Sequence, residues 1–223
     1  MIQQWLVWHG WVWVWLCCWL DLCAQPLPTY AKADSVAAVY AGHSLDHLPL
    51  LAYRLTGSLA TSKEKYRAIY VWVCRNIEND YPAFLRNKRQ RAKHKNQPKA
   101  LEAWNRKFSE DVFTTLRTKR KTVCTGYAYL MQSLAQLAGI RCVIIHGYAI
   151  TALSPRAGEP NHSWNAVYLE GRWYLTDATW GSGAVDVRTG TFIPRFSDQY
   201  FLADPEEFAI RHQPLDSAWM RLQ

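Results

Sequence analysis

The stretch Thr122-Val-Cys-Thr-Gly-Tyr-Ala-Tyr129 decides how the chain is read. Behind the cysteine, Tyr127, Leu130, Met131, Leu134, Leu137 and Ala138 recur at helical spacing, so one helix face is apolar and expected to be buried. Gly139 is placed to end that helix. Cys124 then stands in the first turn, where backbone N–H groups lack intrahelical partners and the macrodipole is positive. This position favours thiolate over thiol. A thiolate does useful chemistry when a base shares its proton and a third group orients that base.

Both partners are available downstream, in Asn161-His-Ser-Trp-Asn-Ala-Val167 and Trp173-Tyr-Leu-Thr-Asp-Ala-Thr-Trp-Gly181. After Gly139 the period changes from helix to strand. Arg141 to Ile150 is rich in β-branched residues, His162 to Leu169 alternates, and Arg172 to Thr179 alternates again. A two-residue loop, Glu170-Gly171, would pair Leu169 with Arg172 and set Asp177 opposite Trp164. His162 is then the diagonal neighbour of Asp177 on one face, about 7–8 Å away at the backbone and within reach of a hydrogen bond. A loop of odd length would send the two to opposite faces. An aspartate at a strand end also has a plainer use, capping the turn that follows.

Upstream, Thr61-Ser-Lys-Glu64 has capping-box spacing, and Tyr66, Ile69, Tyr70, Val73 and Ile77 follow on one helical face, predicting a helix to about Asn79. Short helices are expected over about Leu45 to Leu59 and around Ser109 to Thr118. Residues 26 to 35, with Pro26 and Pro28, read as a linker. From Arg86 to Lys99 the chain carries Arg86, Lys88, Arg89, Arg91, Lys93, Lys95 and Lys99 with no acid, within a total of 26 basic and 18 acidic residues. This run reads as a solvated, mobile insertion; an acidic partner is a weaker second reading. With no aromatic residue inside it, the stacking half of a single-strand nucleic-acid site is missing, and no nucleic acid is expected.

Trp5 to Leu20 is a nearly unbroken apolar run, short for a membrane span and about right for a signal-peptide core. Residues 1–25 are therefore expected to be a signal peptide or N-terminal hydrophobic segment, and residues 26–223 one domain, exported to the periplasm or medium. No stable membrane insertion is expected once the leader is cleaved; an uncleaved leader would anchor the chain. Beyond the leader remain Cys74, Cys124 and Cys142, an odd number that leaves at least one thiol free. Cys74 and Cys142 either pair or are buried small hydrophobes. His43 and His47 are spaced as a metal pair but have no third ligand, and with no C-x-x-C, no metal or other cofactor is expected. Cys142 and His146 are assigned no chemistry.

Taken together, Lys65-Tyr-Arg-Ala-Ile-Tyr-Val-Trp72 with Asn76-Ile77, the cysteine helix, His162-Ser-Trp-Asn165, Trp173-Tyr174, Asp177-Ala-Thr-Trp-Gly181 and Tyr200-Phe-Leu-Ala-Asp-Pro-Glu-Glu-Phe208 resemble the transglutaminase-like superfamily. Among its members, the pattern is most similar to kyphoscoliosis-peptidase-like proteins. The resemblance implies an α+β, papain-like fold: N-terminal helices, with the cysteine helix packed on an antiparallel sheet. It also implies Cys124 as nucleophile, His162 as general base and acid, and Asp177 as its orienting partner. Thr122 replaces the family's usual glycine before the cysteine. The implied activity is acyl transfer on protein or peptide amides, as a cysteine protease or amidase. A crosslinking transglutaminase and a catalytically silent binding scaffold are the alternatives; an acetyltransferase or glycopeptide amidase is less favoured. Trp164 and Trp180 are read first as packing around the site and second as substrate contacts. The loop from Thr151 to Pro160 could lie over it.

Overall fold

The computed structural model describes residues 30–151 and 159–220. The leader and most of the Thr151–Pro160 loop lie outside these residues. In chain order the elements are α1 (Ala31–Val39), α2 (Leu48–Thr56), α3 (Ser62–Asn76), β1 (Glu78–Asn79), α4 (Tyr81–Lys93), α5 (Pro98–Lys119), β2 (Lys121–Thr122) and α6 (Cys124–Leu137). There follow β3 (Cys142–Ala149), β4 (His162–Leu169), β5 (Arg172–Thr176), α7 (Ala178–Ser182), β6 (Gly183–Asp186), β7 (Thr191–Pro194), α8 (Pro205–Ala209) and β8 (His212–Pro214). The expected α+β fold is the one observed.

Four strands form an antiparallel sheet in the order β5-β4-β3-β8. Helix α6 packs on it, and α3 packs in turn on α6, so Ile69, Tyr70, Val73, Tyr127, Leu130, Met131, Leu134, Val167 and Leu169 share one core. Asn165 fastens the layers by donating from Nδ2 to the Ala128 carbonyl at 3.0 Å. The Thr61–Glu64 capping box forms as its spacing requires. Helix α3 stops at Asn76 rather than Asn79 because Ile77 turns extended to lead into β1. The β4–β5 hairpin closes with Leu169 opposite Arg172, and Glu170 (φ 49°) and Gly171 (φ 85°) take the left-handed conformations of a tight two-residue turn.

Two expectations are corrected. The supposed linker includes α1, whose Ala33 packs with Leu59 and Ala68 and whose Asp34 binds the buried Arg67 at 2.6 Å. The basic run is helical, lying on α4 and the start of α5. Asp80 caps α4 by accepting from the Ala83 amide at 3.0 Å, and Ala83, Phe108, Val112 and Val123 form a small core with Phe84 and Trp104 against it. Its apolar partners lie outside the basic run, so the run alone shows no amphipathic face. The helix expected around Ser109 to Thr118 is the end of this longer α5, and α2 is somewhat shorter than expected. Cys74 and Cys142 are both free and buried, so they do not pair.

A parallel pairing of β1 with β2 ties the end of α3 to the residues just before Cys124, with Asp80 N–H donating to the Thr122 carbonyl at 2.7 Å. Thr122 fits there because Gly126 has no side chain: a Cβ on Gly126 would stand 1.9 Å from Thr122 Oγ1. The departure from the usual glycine at 122 is thus accommodated one turn later. Gly126→Ala should destabilise the fold by about 1–3 kcal/mol through overpacking. Denaturant unfolding of Gly126→Ala with and without Thr122→Gly checks this, the second substitution restoring most of the loss.

Candidate active site

Cys124, His162 and Asp177 arrive from three directions. Cys124 opens α6, with Val123 as its N-cap residue. His162 begins β4, opposite Gly147 of β3. Gly147 leaves room for the neighbours of that position: a Cβ there would lie 2.6 Å from the Trp164 indole and 2.2 Å from the Gln213 carbonyl. The β4–β5 register runs to Asn165 opposite Thr176, where the chain leaves the sheet and Asp177 becomes the N-cap of α7. The hairpin register required by the sequence argument is the one found.

Asp177 is fully buried, and all its acceptor capacity is used. Oδ1 accepts from the amides of Thr179 at 2.8 Å and Trp180 at 3.2 Å. Oδ2 accepts from His162 Nε2 at 2.7 Å and faces His212 Nε2 at 3.0 Å. One oxygen thus caps a helix and the other bonds the imidazole. With Nε2 committed to Asp177, the His162 ring keeps Nδ1 for a second partner, and Cys124 lies near enough for the imidazole to lower its thiol pKa. His212 was not legible as a site residue. It lies far along the chain beyond the motifs and is brought in by β8, which pairs with β3 through His212 opposite Ala149.

The electrostatics follow from these contacts. Burial opposes a thiolate at Cys124, but the hydrogen bond and charge of His162, with the Ser163 amide, outweigh it and lower the thiol pKa. Burial likewise opposes a cation at His162, yet the Asp177 carboxylate prevails and raises its pKa to about 10. Asp177 itself is desolvated, but His162 and then His212 hold it well below the usual carboxylate range. At His212 burial wins over the same carboxylate, and its pKa falls below the ordinary value. Cys74 and Cys142 feel burial first, which raises Cys74 strongly and pushes Cys142 up to about 12.

Cys124 and His162 line a cavity of about 550 Å³, together with Tyr81, Phe84, Trp180 and Phe192. Besides His162, its described lining carries the cationic side chains of Lys88 and Arg211 and no carboxylate. Trp180 borders this space and stacks on His162 with ring centroids 5.4 Å apart. Trp164 is buried instead, packing with Ile145, Ala166, Leu175 and Phe208, and reaches His212 edge-on at 5.2 Å. It is a packing residue. His43 and His47 make separate local contacts, the latter capping α2 by accepting from the Leu50 amide. Among the described residues, one group has donor atoms close enough to hold a metal ion: His162, Asp177 and His212. Their separations of 2.7 and 3.0 Å are those of hydrogen bonds, which satisfy all three without an ion.

The model of the transglutaminase-like superfamily matches residues 50–178, a span that contains Cys124, His162 and Asp177 but not His212. The chain belongs to this superfamily. Human kyphoscoliosis peptidase is 36% identical over 202 residues, covering 88% of this chain and 27% of that protein. Its mouse counterpart is 38% identical over 164 residues, 72% of this chain and 22% of that one. The chain thus spans about a quarter of the length of these relatives, and the likeness to kyphoscoliosis peptidases expected from the sequence is borne out. A solved structure described as a TGase superposes with a TM-score of 0.39 at 16% identity, covering 81% of this chain and 40% of its own.

Because its pKa is shifted downward, Cys124 should hold more thiolate near neutrality than a free cysteine, with its pKa of about 8.5. Iodoacetamide should therefore label Cys124 first at about pH 6.5, while Cys74 and Cys142, shifted upward, stay unreacted. His162→Ala leaves burial as the dominant influence and should slow labelling roughly tenfold or more. Peptide mapping after timed labelling reads both effects.

Proposed function

We propose that the chain is a thiol-dependent acyl-transfer enzyme acting on protein or peptide amides, with hydrolysis as the favoured outcome. The observation that carries this reading is His162 held by the buried Asp177 at 2.7 Å while it lines one cavity together with Cys124, whose thiol pKa it lowers. His162 Nδ1 takes the thiol proton and the thiolate attacks the amide carbonyl carbon, the oxyanion drawing on the backbone N–H of Cys124. The C–N bond breaks as His162 returns the proton to the leaving nitrogen, giving a thioester. Water then attacks the thioester as His162 takes a proton from it; the C–S bond breaks, the acid leaves and the Cys124 thiolate is regenerated beside the His162 cation. Asp177 keeps the imidazole in the required tautomer and stabilises its cation.

Hydrolysis is preferred over amine transfer because of the similarity to kyphoscoliosis peptidases, whose name denotes cleavage. The cavity further favours a substrate with a bulky apolar side chain beside acidic residues, since Tyr81, Phe84 and Phe192 supply apolar wall and Lys88 and Arg211 supply charge. The basic residues of α4 extend that charge outward. Export through the N-terminal leader belongs to the same proposal, and sequencing the N-terminus of the protein released by the cell tests it. A scaffold that keeps the fold without turnover is the competing reading; slow labelling of Cys124, no faster than that of Cys74 or Cys142, would favour it.

Incubating glutamine-containing peptides with and without a primary amine should give mainly deamidated or cleaved product. Amine incorporation exceeding water attack would overturn hydrolysis. Peptides with glutamate beside the reacting residue should turn over several-fold faster than lysine counterparts, and Lys88→Glu should narrow that ratio. An unchanged ratio would remove the acidic preference while leaving the thiol chemistry intact.

A further inference from the structure

We propose that His212 is a positioning residue for the relay: by occupying one lone pair of Asp177 Oδ2, it limits the charge His162 receives and keeps the His162 proton transferable. The inference rests on the acyl-transfer reading and adds a fourth residue to it.

The geometry makes a purely mechanical role unnecessary. Asp177 Oδ1 is already fixed by the amides of Thr179 and Trp180, so the carboxylate keeps its orientation without help from His212. What His212 changes is Oδ2, the oxygen His162 uses. His212 is itself held in place: Phe208 stacks on its ring at 3.8 Å, and its Nδ1 faces the Phe208 carbonyl at 3.2 Å. Both its nitrogens face acceptors. The carboxylate is the stronger and nearer of them, so a neutral His212 carries its proton on Nε2 and donates it to Asp177. Around this cluster, Tyr70 and Cys74 from α3, Tyr127 from α6, and Tyr200 are all shifted upward and uncharged near neutrality. Cys124 faces it from α6, Arg211 adjoins His212 on an exposed side, and His146 of β3 turns to Ser163 at 2.9 Å.

The chemical consequence concerns the second half of the proton cycle. An imidazolium too firmly held by a carboxylate is a poor acid toward a leaving nitrogen. Sharing Oδ2 moderates that hold. Removing the His212 donor should therefore strengthen the Asp177–His162 pair, raise the His162 titration, and slow amide turnover without slowing alkylation, which requires no proton from His162.

The test uses the full chain with His212→Leu, which removes the donor, and His212→Gln, which can restore one, each checked for folding by circular dichroism. Nitrogen-detected NMR of labelled histidines should show the His162 transition raised by about one pH unit in His212→Leu and close to wild type in His212→Gln. Iodoacetamide labelling of Cys124 near neutrality should stay within about twofold in both, while amide turnover falls roughly tenfold in His212→Leu alone. A His162 transition that is unchanged or lower in folded His212→Leu overturns the inference, as does labelling lost together with turnover. If His212→Leu does not fold, wild-type NMR decides: a proton on His212 Nε2 near neutrality supports the proposal and its absence overturns it. Failure of the acyl-transfer reading has a different signature, slow Cys124 labelling in the wild type.

Discussion

One buried carboxylate organises the candidate site. Asp177 has no exposure to solvent, and an ionised carboxylate in such a place is costly unless its lone pairs are met. Two backbone amides of α7 and two imidazoles meet them. The cap fixes the carboxylate where β5 ends, and the imidazole bond fixes His162 where β4 begins. His162 can then serve Cys124 only if α6 starts opposite that point. The β1–β2 pairing and the fit of Thr122 against Gly126 set that start. Each requirement falls on a different element, and so the sheet, the cysteine helix and the short α7 turn are mutually constrained.

The charges follow the same order of dependence. Burial alone would neutralise all three groups, raising the thiol and the carboxyl and lowering the imidazole. Coupling reverses each of these tendencies: the carboxylate stabilises a cation at His162, and that cation stabilises a thiolate at Cys124. At the two other thiols of the described chain, burial outweighs the hydrogen bonds of Tyr70 at Cys74 and of Tyr66 and Asn165 at Cys142, and both pKa values rise. The lowered pKa of Cys124 is therefore a property of its neighbours, and the helix N-terminus favours the same charge.

Much of this was legible in the sequence because it depends on short-range spacing. The capping box at Thr61, the apolar stripe behind Cys124 and the two-residue hairpin loop are local signals, and each element forms where they put it. The hairpin register also placed His162 and Asp177 on one face. What escaped depended on contacts distant in sequence. Helix α1 is held by Ala68, Leu59 and the buried Arg67, none of them near it in the chain. The basic helices owe their burial to Phe84, Trp104 and Phe108, outside the charged run. His212 has no recognisable motif of its own and gains a role only because β8 adds to the free edge of β3. Asp177 ended the strand earlier than alternation suggested because a capping side chain competes well with continued pairing.

The central claim is that the carboxylate's charge reaches the sulfur through the imidazole. Ultraviolet titration of thiolate absorbance, taken as the difference between the wild type and Cys124→Ala, tests it most directly when repeated on an Asp177→Asn background. Thiolate present at neutrality in the wild type and absent in Asp177→Asn is the expected result. Thiolate that forms in both only near the free-cysteine pKa of about 8.5 would contradict it.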